Sequence, residues 1–447
     1  MLFYSMKNKP LRLTFLAINR ENVKALVCLI FTLWTMALQA ETGVIRSGLA
    51  ITEQQAIALF YQRNLSLIAA NFNINDAQAQ EIIAAAIPNP VFSFTISSLT
   101  PQMSHQQYSD APLPAVSPQI QQLIETAGKR RLRIESSELA TEAVSLDLKD
   151  TARVLTNAVR RSYYSLLLAQ KVATVATDNF ERYREILRVN ATRLKVGDIS
   201  ATDFTRIEVE SLKAQGDQDQ AKAALNQARA DLLLLLGWPE NSLEISAVEA
   251  WPEAAPSVAK VGQDQLVKQA LERRPDLQAA RVRIEQAGKM LTLANRLAIP
   301  DVTVSAFYQR DPGNFFTDSG GVGISVPLPL FYRQEGEISR ARVGLNSAEL
   351  ALKQTEQGVQ AEVMKALAAW QSADAIAQRF ETAVVKRIEM LRKAQEIAYQ
   401  KGAVGLLDLI DAERNYKAMM LDYYAALKNR SNAWADLLMA YGEEAEL

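Results

Sequence analysis

Two residue types that carry much enzyme chemistry are nearly missing: the 447 residues include one cysteine, Cys28, and one histidine, His105. A His/Cys zinc site has no material, and a Cys–His nucleophilic pair could only join those two residues. Neither a G-x-x-x-x-G-K-[ST] phosphate loop nor a G-x-G-x-x-G turn occurs. No charge dominates: 49 basic residues face 50 acidic ones, a net of −1. The basic excess of a nucleic-acid binder is therefore absent. With 49% hydrophobic residues at so low a net charge, wholesale disorder is excluded as well. Long apolar runs are also lacking beyond the first forty residues. The purest, Leu232 to Leu236, has five residues where a membrane helix needs about 20. Any membrane crossing by the rest of the chain would have to use a closed β-barrel.

The first forty residues differ in kind. Lys7, Lys9, Arg12, Arg20 and Lys24 precede an apolar run, Ala25 to Leu38, and the small residue Ala40 follows. This order reads as a secretory signal over residues 1–40. A membrane anchor is the alternative, but 14 apolar residues fall short of the ~20 that span a bilayer. Removal would take five basic residues and one acid, leaving 44 and 49, a net of −5 and no cysteine. Ala25-Leu26-Val27 lacks the small residues that precede a lipoprotein cysteine, so no lipid anchor is expected at Cys28.

Proline is scarce where helix formers are dense. None occurs between Pro118 and Pro239, or after Pro329. Each interval reads as a long helix, a break at Gly197 or Gly402, and a helix returning antiparallel. Leu345, Leu352, Val359, Ala366, Ala373 and Phe380 recur every seventh residue, as do Val363, Trp370, Ala377, Val384, Leu391 and Ala398. The two rows form one a/d seam of a coiled coil. In the first half, Phe180, Tyr183, Leu187, Asn190 and Leu194 follow the same alternation.

The halves also match each other. Arg63-Asn64 aligns with Arg273-Arg274, Ala86-Ile87-Pro88 with Ala298-Ile299-Pro300, and Gly197, Asp203, Glu208 and Gly237 with Gly402, Asp408, Glu413 and Gly442. Self-similarity of this kind means two copies of one structural unit. Each copy also holds β-like stretches. Pro90 to Leu99, Val302 to Gln309 and Gly321 to Leu330 alternate apolar with polar or small residues, and Val116 to Glu125 does so more weakly. Turn-rich loops, Thr100 to Ala115 and Arg310 to Gly320, separate the paired stretches. About ten alternating residues suit a tilted transmembrane strand. Four strands cannot close a barrel; two copies would give a tight eight, and three would give twelve.

The duplicated unit, the hairpin breaks V-G-D-I-S-A-T-D-F (196–204) and Y-Q-K-G-A-V-G-L-L-D-L-I-D (399–411), and the leader together resemble the TolC family of outer-membrane efflux channels. Ile87-Pro88-Asn89-Pro90, Gly128-Lys129-Arg130 and the stretch from Pro327 to Gly336 are most similar to its CzcC-like heavy-metal branch. The resemblance implies a mainly α fold with a β-barrel part: long-helix hairpins forming a trimeric periplasmic tunnel, and four strands per chain in a 12-stranded outer-membrane barrel. The expected organisation is a signal at 1–40 and a first repeat at 41–239, with strands at about 90–125 and a hairpin at about 129–237. An equatorial linker at 240–263 follows, then a second repeat at 264–447, with strands at about 301–330 and a hairpin at about 335–442. The implied function is a passive exit duct, without enzyme activity or cofactor, for heavy-metal cations. An inner-membrane pump of the resistance–nodulation–division type would deliver them through a periplasmic adaptor. The implied partners are two further copies, the adaptor, the pump and outer-membrane lipid, with no nucleic acid. The alternatives are a TolC-like duct for drugs or peptides, and an exported coiled-coil scaffold without a barrel.

Carried over residue by residue, Asp408 and Asp411 match the family's aspartate ring at the periplasmic entrance. Tyr399 and Asp203 match residues that help to hold the entrance shut. Val196, Gly197, Gly402 and Val404 fall at hairpin tips where adaptors dock, and Val404 replaces an arginine of the family's latch. From the residues alone, Asp408 and Asp411 read equally well as acids favoured by a helix N-terminus. His105 in its proline-rich loop, and Met419-Met420 as adjacent helix residues that cannot share a face, are weak candidates for metal. Arg130, Arg131 and Arg133 could meet lipid headgroups or pair locally. Trp238, Trp251 and Pro252 are expected to pack a collar at the middle of the tunnel.

Overall fold

The helices and strands follow from where capping side chains, left-handed residues and prolines fall. The computed structural model describes residues 48–97, 115–238, 244–248, 251–252, 262–311 and 317–442; the leader, His105 and most of the linker lie outside them. The chain divides into two compact units. In the smaller, 1–49 with Ser242–Glu244, the Leu49 N–H donates to the Glu244 carbonyl at 2.9 Å. The larger, Ala50–Asn241 with Ile245–Leu447, holds all that is described below except Leu49.

Each copy begins with two helices broken at one residue. The first is α1 (Glu53–Arg63), opened by a capping box between Thr52 and Gln55. Then comes α2 (Leu65–Ala85), whose cap Asn64 accepts from the Ser66 and Leu67 amides. The Asn64 side chain also donates through Nδ2 to the Leu235 carbonyl at 2.7 Å, fastening this start to the far end of its own hairpin. Gly237 makes the approach possible: φ is +63°, and a Cβ there would lie 2.4 Å from the Arg63 carbonyl oxygen.

The second copy repeats the joint with different chemistry. Between α5 (Gln263–Arg273) and α6 (Pro275–Leu297), Arg274 reaches Asp276, Glu362 at 2.6 Å and the Ala440 carbonyl at 3.3 Å. Gly442 adopts φ +80° beside it.

Between these pairs and the hairpins lie the strands. They are β2 (Val91–Ser97), β3 (Ala115–Ile124), β5 (Val302–Asp311) and β6 (Thr317–Ser325), in one antiparallel sheet of order β2-β3-β5-β6. Its register assigns side chains to two faces, because residues directly opposite each other share a face. Phe92, Ile120, Ala306 and Val322 are linked in one row, and Gln122, Val304 and Ile324 in the next. The reverse face carries Ser93 and Gln119, Gln121 and Ser305, and Gln309 and Ser319, with Phe307 opposite Gln119, Val91 opposite Gln121 and Leu123 opposite Thr303. One face is mainly apolar and the other mainly polar, and among the described residues β2 and β6 are each paired on one side. Pro118 lies in β3, a central strand. It pairs with Phe94 on one side, while the β3–β5 ladder skips from Val116 to Gln119, since proline has no amide to donate.

Two residues in left-handed backbone, Ala127 (φ 56°) and Gly128 (φ 71°), turn β3 into α3 (Lys129–Lys195). Its 67 residues span about 100 Å. Lys129, 3% exposed, ties this joint together by donating to Asp301 at 2.7 Å and to the Ile299 carbonyl at 2.5 Å. The Thr126 amide donates to the same carboxylate at 2.8 Å. Burial raises the Asp301 carboxyl pKa, but the Lys129 and Thr126 contacts outweigh it and leave the pKa below its ordinary value.

The return helix is α4 (Ala201–Leu235), and near its end Phe60, Tyr163, Tyr164, Leu166, Leu232 and Leu236 form a dry core. Trp238 and Trp251 pack against that core; Trp251 stacks on Tyr164, and the Arg63 guanidinium lies 4.3 Å above Trp238. The short β1 (Leu49–Ile51) and β4 (Ile245–Ala247) lie alongside, with Tyr163 donating to the Val248 carbonyl.

The second hairpin departs from its expected form. It runs as α7 (Glu335–Arg379), a π-helical turn at Phe380–Val384, α8 (Val385–Gln400) and α9 (Leu406–Tyr441). Above the turn the expected seam is inside: Val359, Val363, Trp370 and Ala377 are buried. Below it, Leu391 is 50% exposed and its neighbour Arg392 is 6% exposed. A π turn takes up one extra residue, so the seven-residue pattern slips by one. The row therefore leaves the interior at Leu391 and Arg392 takes its place, with Ala398 and Tyr399 both half-buried two turns further on.

Candidate functional site at the hairpin tips

Both hairpins reverse by the same device. At the end of α3, the Asp198 amide donates to the Arg193 carbonyl at 2.9 Å; at the end of α8, the Ala403 amide donates to the Ala398 carbonyl at 2.8 Å. Gly197 (φ +80°) and Gly402 (φ +73°) supply the left-handed residue that this cap requires. Nothing lies within 4 Å of where a Cβ would sit at either glycine, so backbone conformation rather than space demands glycine. Val196 caps α3 with 76% of its surface exposed, and Val404 is half-buried.

The acids open the return helices. Asp203 accepts from the Ser200 hydroxyl at 2.8 Å and pairs with Arg206 at 3.4 Å. Asp408 occupies the equivalent position of α9 and accepts the Gly405 amide at 3.0 Å. Asp411 is exposed and lies 3.6 Å from Arg414. Asp408 thus fills the role of an acid at a helix N-terminus, Asp411 pairs with Arg414, and both remain open to solvent.

Tyr399 and Asp203 are not linked within the chain. The Tyr399 hydroxyl donates instead to Asn190 Oδ1 at 2.6 Å, and the Arg193 guanidinium lies 5.2 Å over its ring. Asn190 is 1% exposed.

Near the tips, further ties between the hairpins are made by residues that sequence reasoning did not single out as a site. Arg414 donates through two nitrogens to Glu210, and Lys417 pairs with Asp217, so α9 is zipped to α4. The Arg414 contact is the chief reason the Glu210 carboxyl sits below its ordinary pKa. Deeper in, Glu413 is 2% exposed, 3.7 Å from Arg182 and 3.9 Å from Arg392. Burial pushes the Glu413 carboxyl up despite both arginines. Arg392 stacks 4.2 Å over Tyr416, and its Nε and Nη1 find no hydrogen-bond partner. Beside this cluster a cavity of about 240 Å³ is lined by Arg182, Asn190, Glu396, Tyr399 and Glu413, among others. The available signal was polar residues at seam positions, Asn190 in the first hairpin being the clearest.

Of the other candidates, Arg133 pairs with Glu125, Arg130 donates to the Ala85 carbonyl, and Arg131 lies 3.5 Å from Glu135. Met419 and Met420 are half-buried along α9. Among the described residues, no group of three or more His, Cys, Asp or Glu is placed to hold a metal ion. No described helix is long and apolar enough to cross a membrane.

The family Outer membrane efflux protein matches this chain over residues 56–238 and 266–443, one stretch in each of the duplicated halves. The chain belongs to that family. It is 24% identical over 377 residues to the cobalt-zinc-cadmium resistance protein CzcC of Cupriavidus metallidurans, covering 84% of this chain and 86% of that one. It is 24% identical over 390 residues to the pyoverdine export outer membrane protein OpmQ of Pseudomonas putida, covering 81% and 79%. In fold it is similar to the Campylobacter jejuni CmeC outer membrane channel, with a TM-score of 0.74, 15% identity and coverage of 87% and 85%. Membership makes the chain an efflux channel of the outer membrane, reaching into the periplasm, and a passive duct rather than an enzyme.

Proposed function

We propose that three copies assemble into an exit duct for heavy-metal cations. A resistance–nodulation–division pump supplies them through a periplasmic adaptor seated on the tips at Val196, Gly197, Gly402 and Val404. The observation that carries the assembly is the sheet: among the described residues it has four strands with open edges at β2 and β6, one face mainly apolar and the other mainly polar. Unpaired edges in lipid cost several kcal/mol per unsatisfied group, and three such sheets close a twelve-stranded barrel. The apolar face then meets lipid and the polar face lines the lumen.

At the entrance, Asp408 and Asp411 of each copy form the constriction. Two like charges 4 Å apart repel by about 1 kcal/mol in water and about 4 kcal/mol at an effective dielectric of 20. Such a ring recruits cations or holds protons, and either response favours cationic cargo. Tyr399, held by Asn190, and Asp203 restrain the closed entrance, with Val404 unable to add the family's arginine link. For the cargo, the support is the likeness to CzcC along most of both chains. OpmQ, named for pyoverdine export, supports the rival reading of a duct for organic solutes. Complementing a strain that lacks this gene separates them. Restored tolerance to cobalt, zinc and cadmium supports the metal reading; restored tolerance to organic toxicants with unchanged metal tolerance overturns it.

A further inference from the structure

Beyond β6 the chain does something that its counterpart in the first copy does not. β3 ends at Ile124 and passes at once into Glu125, which pairs with Arg133, and then into the turn at Ala127 and Gly128. β6 ends at Ser325, but the apolar residues continue. Val322 and Ile324, on the apolar face, are 84% and 76% exposed; Val326 and Leu328 keep the two-residue spacing, at 40% and 73%. Pro329 then turns the chain, the Leu330 amide donating to the Leu328 carbonyl at 2.9 Å. Leu330 and Phe331 leave this turn 71% and 101% exposed.

This display is fastened from behind. The Tyr332 hydroxyl donates to Glu337 and accepts the Gly336 amide at 3.1 Å, while the Arg333 amide donates to Glu335 at 2.9 Å. Gln334 adopts φ 65° between them. The polar end of the segment is thus anchored on the start of α7, and its apolar end is presented to the outside. Pro327 and Pro329 carry no amide hydrogen, which removes two donors that would otherwise need partners outside water. Aromatic and aliphatic groups followed by a tyrosine and an arginine form the sequence of polarity found at a membrane–water boundary.

We propose that Val326–Phe331 is a wedge seated in the periplasm-facing phospholipid leaflet, at the junction of acyl chains and headgroups, with Tyr332 and Arg333 at headgroup level. The inference rests on reading the Val322 and Ile324 face as the lipid face, and continuity with that face is what selects lipid as the occupant.

The test uses the full chain in a Cys28→Ser background, reconstituted in phosphatidylethanolamine–phosphatidylglycerol vesicles. Nitroxides are placed singly at Leu328→Cys, Phe331→Cys, Val322→Cys and Ser319→Cys, and their collisions with oxygen and with a water-soluble nickel chelate are compared. The expected oxygen-to-nickel ratio at positions 328 and 331 is several-fold higher than at position 319 and approaches that at 322. A ratio at 328 and 331 matching 319, with 322 still favouring oxygen, overturns the wedge and leaves the lipid face standing. A nickel-favouring label at 322 overturns the lipid face itself. Dipolar broadening at 331 that vanishes on dilution with unlabelled protein assigns the segment to contact with a second copy, which also overturns the proposal.

Discussion

The second hairpin is two structures joined by one turn. Above Phe380–Val384, the heptad pattern and the buried residues agree, and Val363 and Trp370 pack with Leu266, Leu277 and Leu437 in a dry core. Below it the pattern slips, and buried Arg392, Glu413 and Asn190 lie beside a small apolar set of Tyr183, Ile207, Leu406 and Ile410. Arg430 marks the boundary, donating to Glu381 within the turn itself at 3.1 Å. A dry seam is held by burial, which is insensitive to pH and salt. The lower seam is held by polar contacts that include the buried carboxyl of Glu413, so its stability depends on pH.

Four measurements probe that contrast. The largest effect is expected from Trp370→Ala, which empties the dry seam and should cost about 3–5 kcal/mol in thermal or denaturant unfolding. A loss below 1 kcal/mol would mean that Trp370 is not a core residue.

Next is the pH dependence of Glu413→Gln. Because the Glu413 carboxyl is raised in the fold, the stability tied to its proton is full below the ordinary carboxyl value. That stability is lost as pH rises through the raised value. The wild type should therefore weaken relative to Glu413→Gln as pH climbs from about 4.5 toward neutrality. Asp301 in the barrel joint behaves oppositely: its carboxyl is lowered, so the Lys129 contact weakens as pH falls below about 3.8 toward the folded value. Melting curves from pH 3 to 8 of Asp301→Asn and Glu413→Gln should show slopes differing from wild type with opposite signs.

A smaller loss, about 1–3 kcal/mol, is expected for Tyr399→Phe, which leaves the Asn190 oxygen buried without its donor. The smallest belongs to Leu391→Ala. A coiled-coil core leucine would cost 2–5 kcal/mol, but this exposed one should stay within about 0.5 kcal/mol. A large loss there would contradict the slip in register.

The fold class was legible because its signals are repeated many times: proline-free stretches, seven-residue rows, alternating strands. Glycine at 197 and 402 was legible because left-handed backbone admits little else. β3 was the faintest strand, since Pro118 and the run of glutamines from Gln119 blur its alternation, yet it is a central strand paired on both sides. The π turn was invisible, because a single extra residue leaves no mark in composition and both Val384 and Val385 could continue a row. The ties at the tips were hidden for another reason. Tyr399 and Asn190 are 209 residues apart, and only the mutual register of the two hairpins decides that they meet.

The central claim is a trimeric duct whose entrance is set by Asp408 and Asp411, and planar-bilayer recording tests it most directly. Wild-type protein should give discrete, cation-selective conductance that a trivalent cation blocks from the periplasmic side. The double change Asp408→Asn, Asp411→Asn should weaken the selectivity and abolish the block, while substitution of Val404 should alter gating less than either aspartate. A double variant that keeps wild-type selectivity and block would show that these carboxylates do not line the constriction.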